Sequence, residues 1–311
     1  MKKSVTVRVP ATTANLGPGF DSFGCALALY NVITFTLEGN RLCFDGCDEE
    51  FCNEQNLAVQ AYDAVCGRLG VPREAGLKIS IRAAIPVSRG LGSSAALLAA
   101  GATAADVLHG GSLDRNELLT LCTAIEGHPD NLAPAFFGGL TASMLENGRP
   151  DTVRCPVHPE IGFVAVIPDF PLSTHIARSV LPQSVAYADA VYNLSHAVIL
   201  MKALEQGNAA LIARALRDRL HQPYREKLIP HYAEAKTAAL RQGAISYCIS
   251  GAGPTQLALV SGDARGFAAR LQKEIAAFAP GWHVLALSVD NSGAVVLGNE
   301  TDFSADIAAS V

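Results

Sequence analysis

The first third of the chain alternates apolar and polar residues with the two-residue period of β-strands. Three segments keep this period, at residues 5–9, 33–37 and 77–81, and each places its valine, isoleucine, leucine or phenylalanine side chains on one face. Residues 56–69 instead place apolar side chains four positions apart, which is typical of an amphipathic helix. This pattern predicts a sheet with helices on one side.

From residue 93 onward the pattern favours helices. Ser93 and Ser94 precede an alanine-rich apolar run, so a buried helix is predicted to begin at these serines. Asp114 and Glu117 have the spacing of a capping box, which predicts a second helix from Asp114. The polar, proline-containing residues 148–156 predict a domain boundary.

The second half mixes both periods without a regular β-α-β repeat. The predicted elements are a strand at 161–167, helices at 187–205, 208–220 and 231–241, strands at 245–250 and 256–260, a helix at 265–278 and a strand at 284–289. The predicted fold class is therefore α+β, with domains at residues 1–155 and 156–311.

Length and charge narrow the class of protein. The chain has 311 residues, half of them hydrophobic, which suffices for one large or two medium domains. With 24 basic and 29 acidic residues its net charge is -5, so neither nucleic-acid binding nor membrane binding is predicted. The basic N-terminus continues into an alternating strand and no run of about 18 apolar residues follows, so we expect a cytoplasmic protein. The eight cysteines contain no CxxC pair.

The strongest local motif is PVSRGLGSSAA at residues 86–96, where a strand leads through two glycines into a helix. Glycines allow close approach of the backbone to an anion, and the helix N-terminus offers unpaired N–H groups that suit a polyphosphate. No lysine follows Gly92, so the motif is not a Walker loop. Residues 90–95 match the dinucleotide pattern G-x-G-x-x-A weakly, and a plain turn before a buried helix is a further alternative.

Two other segments hold turn-forming residues next to polar ones. Residues 10–24 contain Asn15 and Asp21, which could point into a cleft or simply bond the local backbone. Residues 250–255, SGAGPT, are compatible with an ordinary hairpin turn.

Together, in this order and spacing, the three motifs resemble those of the GHMP kinases. Residues 86–96 are similar to the phosphate loop of that superfamily, and VPATTANLGPGFDSFG at residues 9–24 resembles its homoserine kinase branch. EGHPDN at residues 126–131, followed by APA at 133–135, is similar to the same branch. The resemblance implies an N-terminal domain like ribosomal protein S5 domain 2, a ferredoxin-like C-terminal domain and an active site between them.

The resemblance also implies a reaction, the phosphorylation of the L-homoserine side-chain hydroxyl by ATP and Mg²⁺ in threonine biosynthesis. It assigns Mg²⁺ to Ser94 and Glu126, which are hard-oxygen ligands. It assigns nucleotide binding to Asn56, Pro86, Val87, Ser88, Arg89, Gly90, Leu91, Gly92, Ser93, Ser94, Ala95 and Ala96.

The acceptor side follows from the same resemblance. It implies a substrate pocket of Asn15, Asp21, His128, Asn131, Thr174, Arg178 and Arg225. Asp21 would meet the ammonium group, the two arginines the carboxylate, and Asn131 the reacting hydroxyl. Asn131, Glu126 and Ser94 form the predicted catalytic set.

Several alternatives stay open at this level. We favour in-line transfer without a protein base, and Asp130 as a base is the alternative. Other functions that fit less of the pattern are a sister GHMP kinase, a Rossmann oxidoreductase and a non-catalytic nucleotide-binding protein. The sequence leaves the oligomeric state open, with a homodimer among the alternatives.

Overall fold

Two β-sheets organise the chain, and each packs against its own helices. The computed structural model describes residues 3–298. Within them, one sheet has seven strands and the other has four. This arrangement of segregated sheets and helices has the α+β character that the sequence predicts.

The first sheet is built mainly from the N-terminal half. Its strands are β1 (Ser4–Ala14), β2 (Phe23–Leu37), β3 (Leu42–Asp45), β4 (Leu77–Ala83), β5 (Leu140–Glu146), β6 (Arg149–Cys155) and β11 (Val295–Val296). The order is β11-β1-β2-β4-β3, and β5 pairs with the start of β2 and with β6. Val5, Val7 and Val9 are buried on one face of β1, which confirms the two-residue pattern.

Four helices cover this sheet. They are α1 (Leu57–Leu69), α2 (Ser93–Leu108), α3 (Arg115–Glu126) and α4 (Leu132–Phe137). The alanine-rich α2 is buried between α1, α3 and β1, as its apolar composition predicts. The Asp114 side chain caps α3 and the Glu117 side chain returns to the Asp114 N–H, so the predicted capping box is confirmed.

The second sheet comes from the C-terminal half. Its antiparallel strands are β7 (Ile161–Ile167), β8 (Ser246–Ile249), β9 (Gln256–Ser261) and β10 (His283–Leu287), in the order β10-β7-β9-β8. The helices of this half are α5 (Thr174–Ser179), α6 (Tyr187–Gln206), α7 (Ala209–Ala215), α8 (Gln222–Arg225), α9 (Tyr232–Arg241) and α10 (Ala264–Ile275). None of the helices within residues 3–298 is long and apolar enough to cross a bilayer.

Residues 149–155 lie in the segment where a domain boundary is predicted, and they form strand β6, which makes a hairpin with β5. The turn is Asn147-Gly148, with φ of 52° and 77°, a dipeptide that favours tight hairpins. The helix predicted over 208–220 ends at Ala215, because the Asp218 carboxylate accepts the N–H groups of Leu220, His221 and Gln222 and so starts α8 instead.

One strand crosses between the predicted domains. β11 lies near the C-terminal end of the described chain but pairs with β1, with Val7 opposite Val296. The first sheet therefore holds strands from both halves of the sequence. The division into residues 1–155 and 156–311 stays a prediction.

Candidate active site

Three loops that are far apart in the sequence meet between the two sheets. They are residues 12–15 at the end of β1, residues 88–94 before α2, and residues 250–255 between β8 and β9. Three backbone hydrogen bonds of 3.0 or 3.1 Å join them: Thr12 N to Leu91 O, Gly251 N to Ala14 O, and Thr255 N to Arg89 O. The Ser250 hydroxyl adds a bond of 2.6 Å to Gly90 O. The three sequence motifs are therefore parts of one site.

A cleft of about 540 Å³ opens above this junction. Most residues that the sequence predicts for the site line it: Asn15, Asp21, Asn56, Val87, Ser88, Arg89, Gly90, Gly92, Ser93, Ser94, Glu126, His128, Asn131, Thr174, Arg178 and Arg225. Leu91, Ala95 and Ala96 are instead buried under the loop, and Pro86 precedes the lining residues. Leu91, Ala95 and Ala96 thus support the loop from its buried side, and Pro86 precedes it in the chain.

The loop at residues 88–94 needs glycine at two positions. Gly90 and Gly92 have φ of 76° and 70°, a backbone conformation that side chains disfavour. A Cβ on Gly92 would overlap Thr12 Oγ1, and a Cβ on Gly90 would meet the backbone carbonyl of Ser250. With Gly92 as its N-cap, α2 presents the N–H groups of its first turn to the cleft, an arrangement that suits an anion.

Arg89 lies in this loop, but its guanidinium is bound to backbone carbonyls. Its nitrogens donate to Pro168 O at 3.1 Å, Val87 O at 3.1 Å and Asp169 O at 2.8 Å. Because Pro168 and Asp169 follow β7, the Arg89 side chain holds this loop against the second sheet. The positive potential at the loop then comes chiefly from the α2 N-terminus.

Beside the loop, Ser94 Oγ donates a 2.8 Å hydrogen bond to Glu126 Oε1. Ser94 lies in the first turn of α2 and Glu126 is the last residue of α3. A hydroxyl and a carboxylate are oxygen ligands of the kind that Mg²⁺ accepts when it keeps several waters. Within residues 3–298 there is no cluster of three or more His, Cys, Asp or Glu side chains that could hold a metal alone. The pair thus fits an ion shared with a phosphate.

Across the cleft, the side chain of Asn131 is oriented by Thr12. The buried Thr12 hydroxyl donates to Asn131 Oδ1 at 2.8 Å, which leaves the amide N–H groups for the cleft. The neighbouring Asp130 Oδ1 accepts from Asn131 N at 2.9 Å and lies 2.9 Å from His128 Nδ1. Asn131 is therefore presented to the cleft as a hydrogen-bond donor.

The pKa of His128 reflects the same contacts. Burial lowers this pKa, while the hydrogen bond and negative charge of Asp130 raise it, and the pKa ends above its ordinary value. The imidazolium form is thus favoured next to the Asp130 carboxylate. Asp130 itself is 2% exposed.

Asp21 and Arg178 form a bidentate ion pair at the outer part of the cleft. Arg178 Nη2 donates to Asp21 Oδ1 at 2.7 Å and Nη1 to Oδ2 at 3.0 Å. The hydrogen bond with Asp21 raises the pKa of Arg178. Asn15 fixes the loop by accepting from Asp21 N at 2.9 Å and donating to Gly251 O at 2.8 Å. The side chains of Asp21 and Arg178 are 35% and 36% exposed, so a charged ligand can reach both.

Arg225 differs from Arg178 in its surroundings. It is 1% exposed, and it donates to Ala177 O at 3.0 Å and to Gly251 O at 3.2 Å. Burial, and then the charge of Arg178, lower its pKa to about 10, which leaves it protonated at neutral pH. The Phe20 ring lies 5.1 Å from its Cζ and 5.6 Å from that of Arg178. Arg225 thus braces the cleft while lining it.

The remaining predicted residues lie at the two ends of the cleft. Asn56 caps α1 by accepting from Ala58 N at 3.0 Å, and donates to Phe51 O at 3.0 Å. Thr174 opens α5 and is exposed. Thus Asn56 is bonded to the backbone of Phe51, and Thr174 lies on the same short helix as Arg178.

Sequence reasoning missed two contributors to the site. Thr12 received no role, although it orients Asn131 from 119 positions away. The 250–255 segment was recognised as the third motif, but none of its residues was assigned to the site, although Gly251, Ala252 and Gly253 line the cleft. The only local signal for Thr12 was the presence of a Thr in the first motif. The only local signal for the 250–255 segment was its paired glycines.

Comparison with known proteins gives consistent results. The family model "GHMP kinases N terminal domain" matches residues 56–139, and "GHMP kinases C terminal" matches residues 200–277. A homoserine kinase of Clostridium botulinum (strain Eklund 17B / Type B) is 40% identical over 298 residues, covering 96% of this chain and 100% of the relative.

Solved structures agree with this likeness. The crystal structure of homoserine kinase from Cytophaga hutchinsonii superposes with a TM-score of 0.86 at 30% identity, covering 96% of this chain and 98% of the other. Mevalonate kinase from L. major gives a TM-score of 0.71 at 15% identity, covering 92% and 96%, which is a likeness of fold. The predicted two-domain α+β fold is confirmed.

Proposed function

Since this chain belongs to the homoserine kinase family of GHMP kinases, we propose that it transfers the γ-phosphoryl group of ATP to the side-chain hydroxyl of L-homoserine. The product is O-phospho-L-homoserine, and the reaction belongs to threonine biosynthesis. The observation that carries the residue-level proposal is the Thr12–Asn131 hydrogen bond of 2.8 Å, because Thr12 also abuts Gly92 of the phosphate loop. The phosphate and acceptor subsites are thereby joined by one contact.

At the nucleotide end, the backbone of residues 88–94 and the N-terminus of α2 bind the ATP phosphates. The adenine ring is accommodated near Asn56, where Phe51 and Leu57 also line the cleft. Ser94 and Glu126 would hold Mg²⁺, which supplies positive charge for the phosphates when bound. The chain's own contribution is the glycine conformation and the oriented N–H groups.

At the acceptor end, the Asp21–Arg178 pair acts as a template for a zwitterion. An amino acid carries an ammonium group and a carboxylate on one carbon, and these match the carboxylate of Asp21 and the guanidinium of Arg178. When homoserine binds, the Asp21–Arg178 ion pair is replaced by two ion pairs with the ligand. Asp21 and Arg178 therefore each have a partner of opposite charge both before and after binding. Arg225 adds positive charge behind Phe20.

The orientation of Asn131 favours a mechanism without a protein base. Its amide donates to the acceptor oxygen and cannot take the hydroxyl proton, since the amide oxygen is bound to Thr12. Asp130 is buried, and its Oδ1 is occupied by His128 and by Asn131 N. Positioning and charge neutralisation suffice for phosphoryl transfer through a loose transition state. The proton of the homoserine hydroxyl passes to an oxygen of the transferred phosphoryl group or to solvent.

A coupled ADP-release assay with homoserine, mevalonate, galactose and shikimate tests the acceptor. We expect the highest kcat/KM for L-homoserine and a strong loss with homoserine carboxamide, which lacks the carboxylate. Higher activity with another acceptor would overturn the proposal in favour of a sister kinase. Binding of Mg-ATP and homoserine by calorimetry without any ADP release would indicate a non-catalytic binding protein. Fractionation of cells tests the proposed cytoplasmic location.

A further inference from the structure

A buried histidine joins the two sides of the proposed acceptor end. His221 is 0% exposed and is the N-cap residue of α8, the helix that carries Arg225. Its Nε2 lies 2.8 Å from Gly17 O, in the segment that leads to Asp21. Its Nδ1 lies 3.4 Å from Arg225 Nη1, at the long end of the range for a hydrogen bond. Because His221 is fully buried, it can affect a ligand only through these neighbours.

The partners of His221 determine where its proton lies. A carbonyl oxygen only accepts, so Nε2 carries a proton and donates it to Gly17 O. A guanidinium only donates, so Nδ1 carries no proton and accepts from Arg225 Nη1. Burial lowers the pKa of His221, and the opposing charge of Asp218 does not offset this effect. The imidazole is therefore neutral and held in one tautomer.

The acceptors that hold Arg225 carry no charge. Its Nε donates to Ala177 O at 3.0 Å, and its Nη1 donates to Gly251 O at 3.2 Å. His221 Nδ1 is the third acceptor. Uncharged acceptors fix the plane of the guanidinium without cancelling its charge. The positive charge of Arg225 thus stays available to an anion in the cleft, which this side chain lines.

The two carboxylates near Arg225 are bound to other groups. Asp21 forms the bidentate ion pair with Arg178. The Asp218 carboxylate accepts three backbone N–H groups, from residues 220–222. Within residues 3–298 neither carboxylate forms an ion pair with Arg225. A carboxylate in place of the imidazole would pair with this guanidinium and neutralise it, whereas the imidazole orients it and preserves its charge.

The face of the His221 ring supports the loop that carries Asp21. The Phe20 ring stacks on it, with ring centroids 5.2 Å apart and an interplanar angle of 23°. Gly17 has φ of 69°, and a Cβ there would overlap a neighbouring backbone carbonyl, so the backbone that His221 binds is closely packed. One imidazole therefore contacts both this loop and the guanidinium of Arg225.

We infer that His221 is a positioning residue for an α-amino-acid acceptor, with Nδ1 fixing Arg225 for the carboxylate and Nε2 fixing the loop of Asp21 for the ammonium group. The inference rests on the proposed function, because that function makes the ligand an α-amino acid. A histidine that only fills the core would stabilise the protein without affecting which groups of the ligand are recognised. The two nitrogens therefore lead to separate predictions.

Two substitutions separate the two contacts of His221. The amide of glutamine extends to the position of Nε2 and can donate to Gly17 O, whereas asparagine places an amide oxygen near the position of Nδ1 and can accept from Arg225. His221→Gln thus loses the contact with Arg225, and His221→Asn loses the bond to Gly17. ADP release at saturating ATP is measured with L-homoserine, with homoserine carboxamide and with 2,4-dihydroxybutyrate, which lacks the ammonium group.

The expected result is a crossed loss of recognition. Both variants should raise the KM for homoserine by roughly 10-fold and change kcat and the KM for ATP little, because the groups next to the reacting oxygen are untouched. His221→Gln should lose most of the preference for homoserine over the carboxamide and keep its preference over 2,4-dihydroxybutyrate. His221→Asn should show the reverse.

His109 provides the matched control. Its side chain is 9% exposed, and its Nε2 contacts Tyr62 and Cys66 on α1, in the other half of the protein. His109→Gln and His109→Asn should keep the wild-type KM for homoserine and both preferences, whatever their effect on the thermal melt.

Three kinetic outcomes would overturn the inference. Unchanged KM and unchanged preferences in both folded His221 variants would leave this histidine as a core residue. Loss of both preferences to the same extent in both variants would refute separate roles for the two nitrogens. The wild-type enzyme is measured first, and a wild type without either preference would overturn the proposed function itself. The failure of the inference and the failure of the function are thereby distinguished.

A measurement on wild type covers the case in which the variants do not fold. NMR of protein with isotope-labelled histidine, at about pH 6.5 where an ordinary imidazole is half charged, reports the protonation of each ring nitrogen. His221 should give a neutral ring with the proton on Nε2, and its signals should shift when homoserine is added. His128 is distinguished because its Nδ1 faces Asp130. The absence of a neutral ring that responds to homoserine would overturn the inference.

Discussion

The two ends of the cleft are built in different ways. The proposed nucleotide end is mostly backbone from one continuous segment, residues 88–94, whose shape depends on Gly90 and Gly92. The proposed acceptor end consists of side chains from separate elements, with Asp21 after β1, Asn131 before α4 and Arg178 on α5. A backbone site fails when its conformation is lost, whereas a side-chain site loses function one group at a time. The predictions below test this difference.

The largest effect is expected at the nucleotide end, for Gly92→Val. Valine disfavours the φ of 70°, and its Cβ would overlap Thr12 Oγ1, which orients Asn131. We expect Mg-ATP affinity to fall by roughly 100-fold or more while the protein still folds, a loss of about 2.7 kcal/mol in binding. Titration calorimetry measures the affinity and circular dichroism the folding.

Gly39→Val is the matched control. Gly39 has a similar φ of 75°, but no atom of residues 3–298 lies within 4 Å of where its Cβ would be. Gly39→Val should lose about 1 to 2 kcal/mol of folding stability through backbone strain. Its affinity for ATP should be unchanged. Wild-type ATP affinity in folded Gly92→Val would mean that Gly92 is only a turn residue.

The next effect separates positioning from base catalysis. Asn131→Ala should lower kcat by roughly 100-fold and change the KM for homoserine little, because the amide acts on the reacting oxygen. Thr12→Val, which keeps the shape but removes the hydroxyl bound to Asn131, should lower kcat by roughly 10-fold. Asp130→Asn should retain measurable transfer. Steady-state kinetics at saturating ATP measure all three.

A complete loss of transfer in Asp130→Asn would contradict this mechanism if Mg-ATP binding and the thermal melt stay intact. That result would identify Asp130 as a base. Equal kcat for wild type and Thr12→Val would mean that Asn131 does not need its orientation.

A smaller effect is expected for the two arginines, on activity alone for Arg178 and on both activity and stability for Arg225. Arg178→Leu should lower kcat/KM for homoserine by roughly 10- to 100-fold, the cost of a charge-assisted bond, with little change in Tm. Arg225→Leu should lower kcat/KM too, but should also cost about 2 to 4 kcal/mol of stability, because the buried carbonyls of Ala177 and Gly251 lose their donor. Substrate kinetics and urea denaturation give the two quantities.

The exposed Arg214→Leu is the control for both variants, since the Nε of Arg214 donates to Ala210 O on the same helix. The double variant should lose less than the two single losses combined, because both arginines act on one carboxylate. Wild type should discriminate against homoserine carboxamide more than Arg178→Leu does. If wild type treats acid and amide alike, the arginines do not recognise a carboxylate.

The smallest effect concerns pH and His128. Because the pKa of His128 is raised in the fold, its charged pair with Asp130 stabilises fully below the unfolded pKa of about 6.5 and is lost as pH rises through the folded value. His128→Gln should therefore be destabilised by about 1 kcal/mol relative to wild type at acidic pH, and by less at alkaline pH. Urea denaturation of both proteins across this range measures the difference.

The comparison with His128→Gln is needed because His221 acts in the opposite direction. Burial lowers the pKa of His221, because the charged imidazole is less favourable inside the fold. The free energy of unfolding therefore falls as pH drops below about 6.5 in both proteins. A wild-type-minus-variant difference that grows with pH would show that the His128–Asp130 pair does not stabilise the fold.

Local features were readable from the sequence because the physical cause lies within a few residues. The alternation of Val5, Val7 and Val9, the Asp114–Glu117 capping box and the glycines at 90 and 92 each depend on neighbours along the chain. The hairpin at Asn147-Gly148 was also readable, but its polar residues were interpreted as a domain boundary. The resemblance of the motifs added the family, which the comparisons confirm.

Tertiary structure decided which side chains act together and which are already occupied. The Thr12–Asn131 contact spans 119 positions and the Asp21–Arg178 pair spans 157, so no local pattern encodes either. The sequence also treats Arg178 and Arg225 alike, and only burial separates an accessible cation from one bound to backbone carbonyls. Hydrogen bonds and desolvation depend on what the fold brings within about 3 Å, and that distance is set by packing rather than by order along the chain.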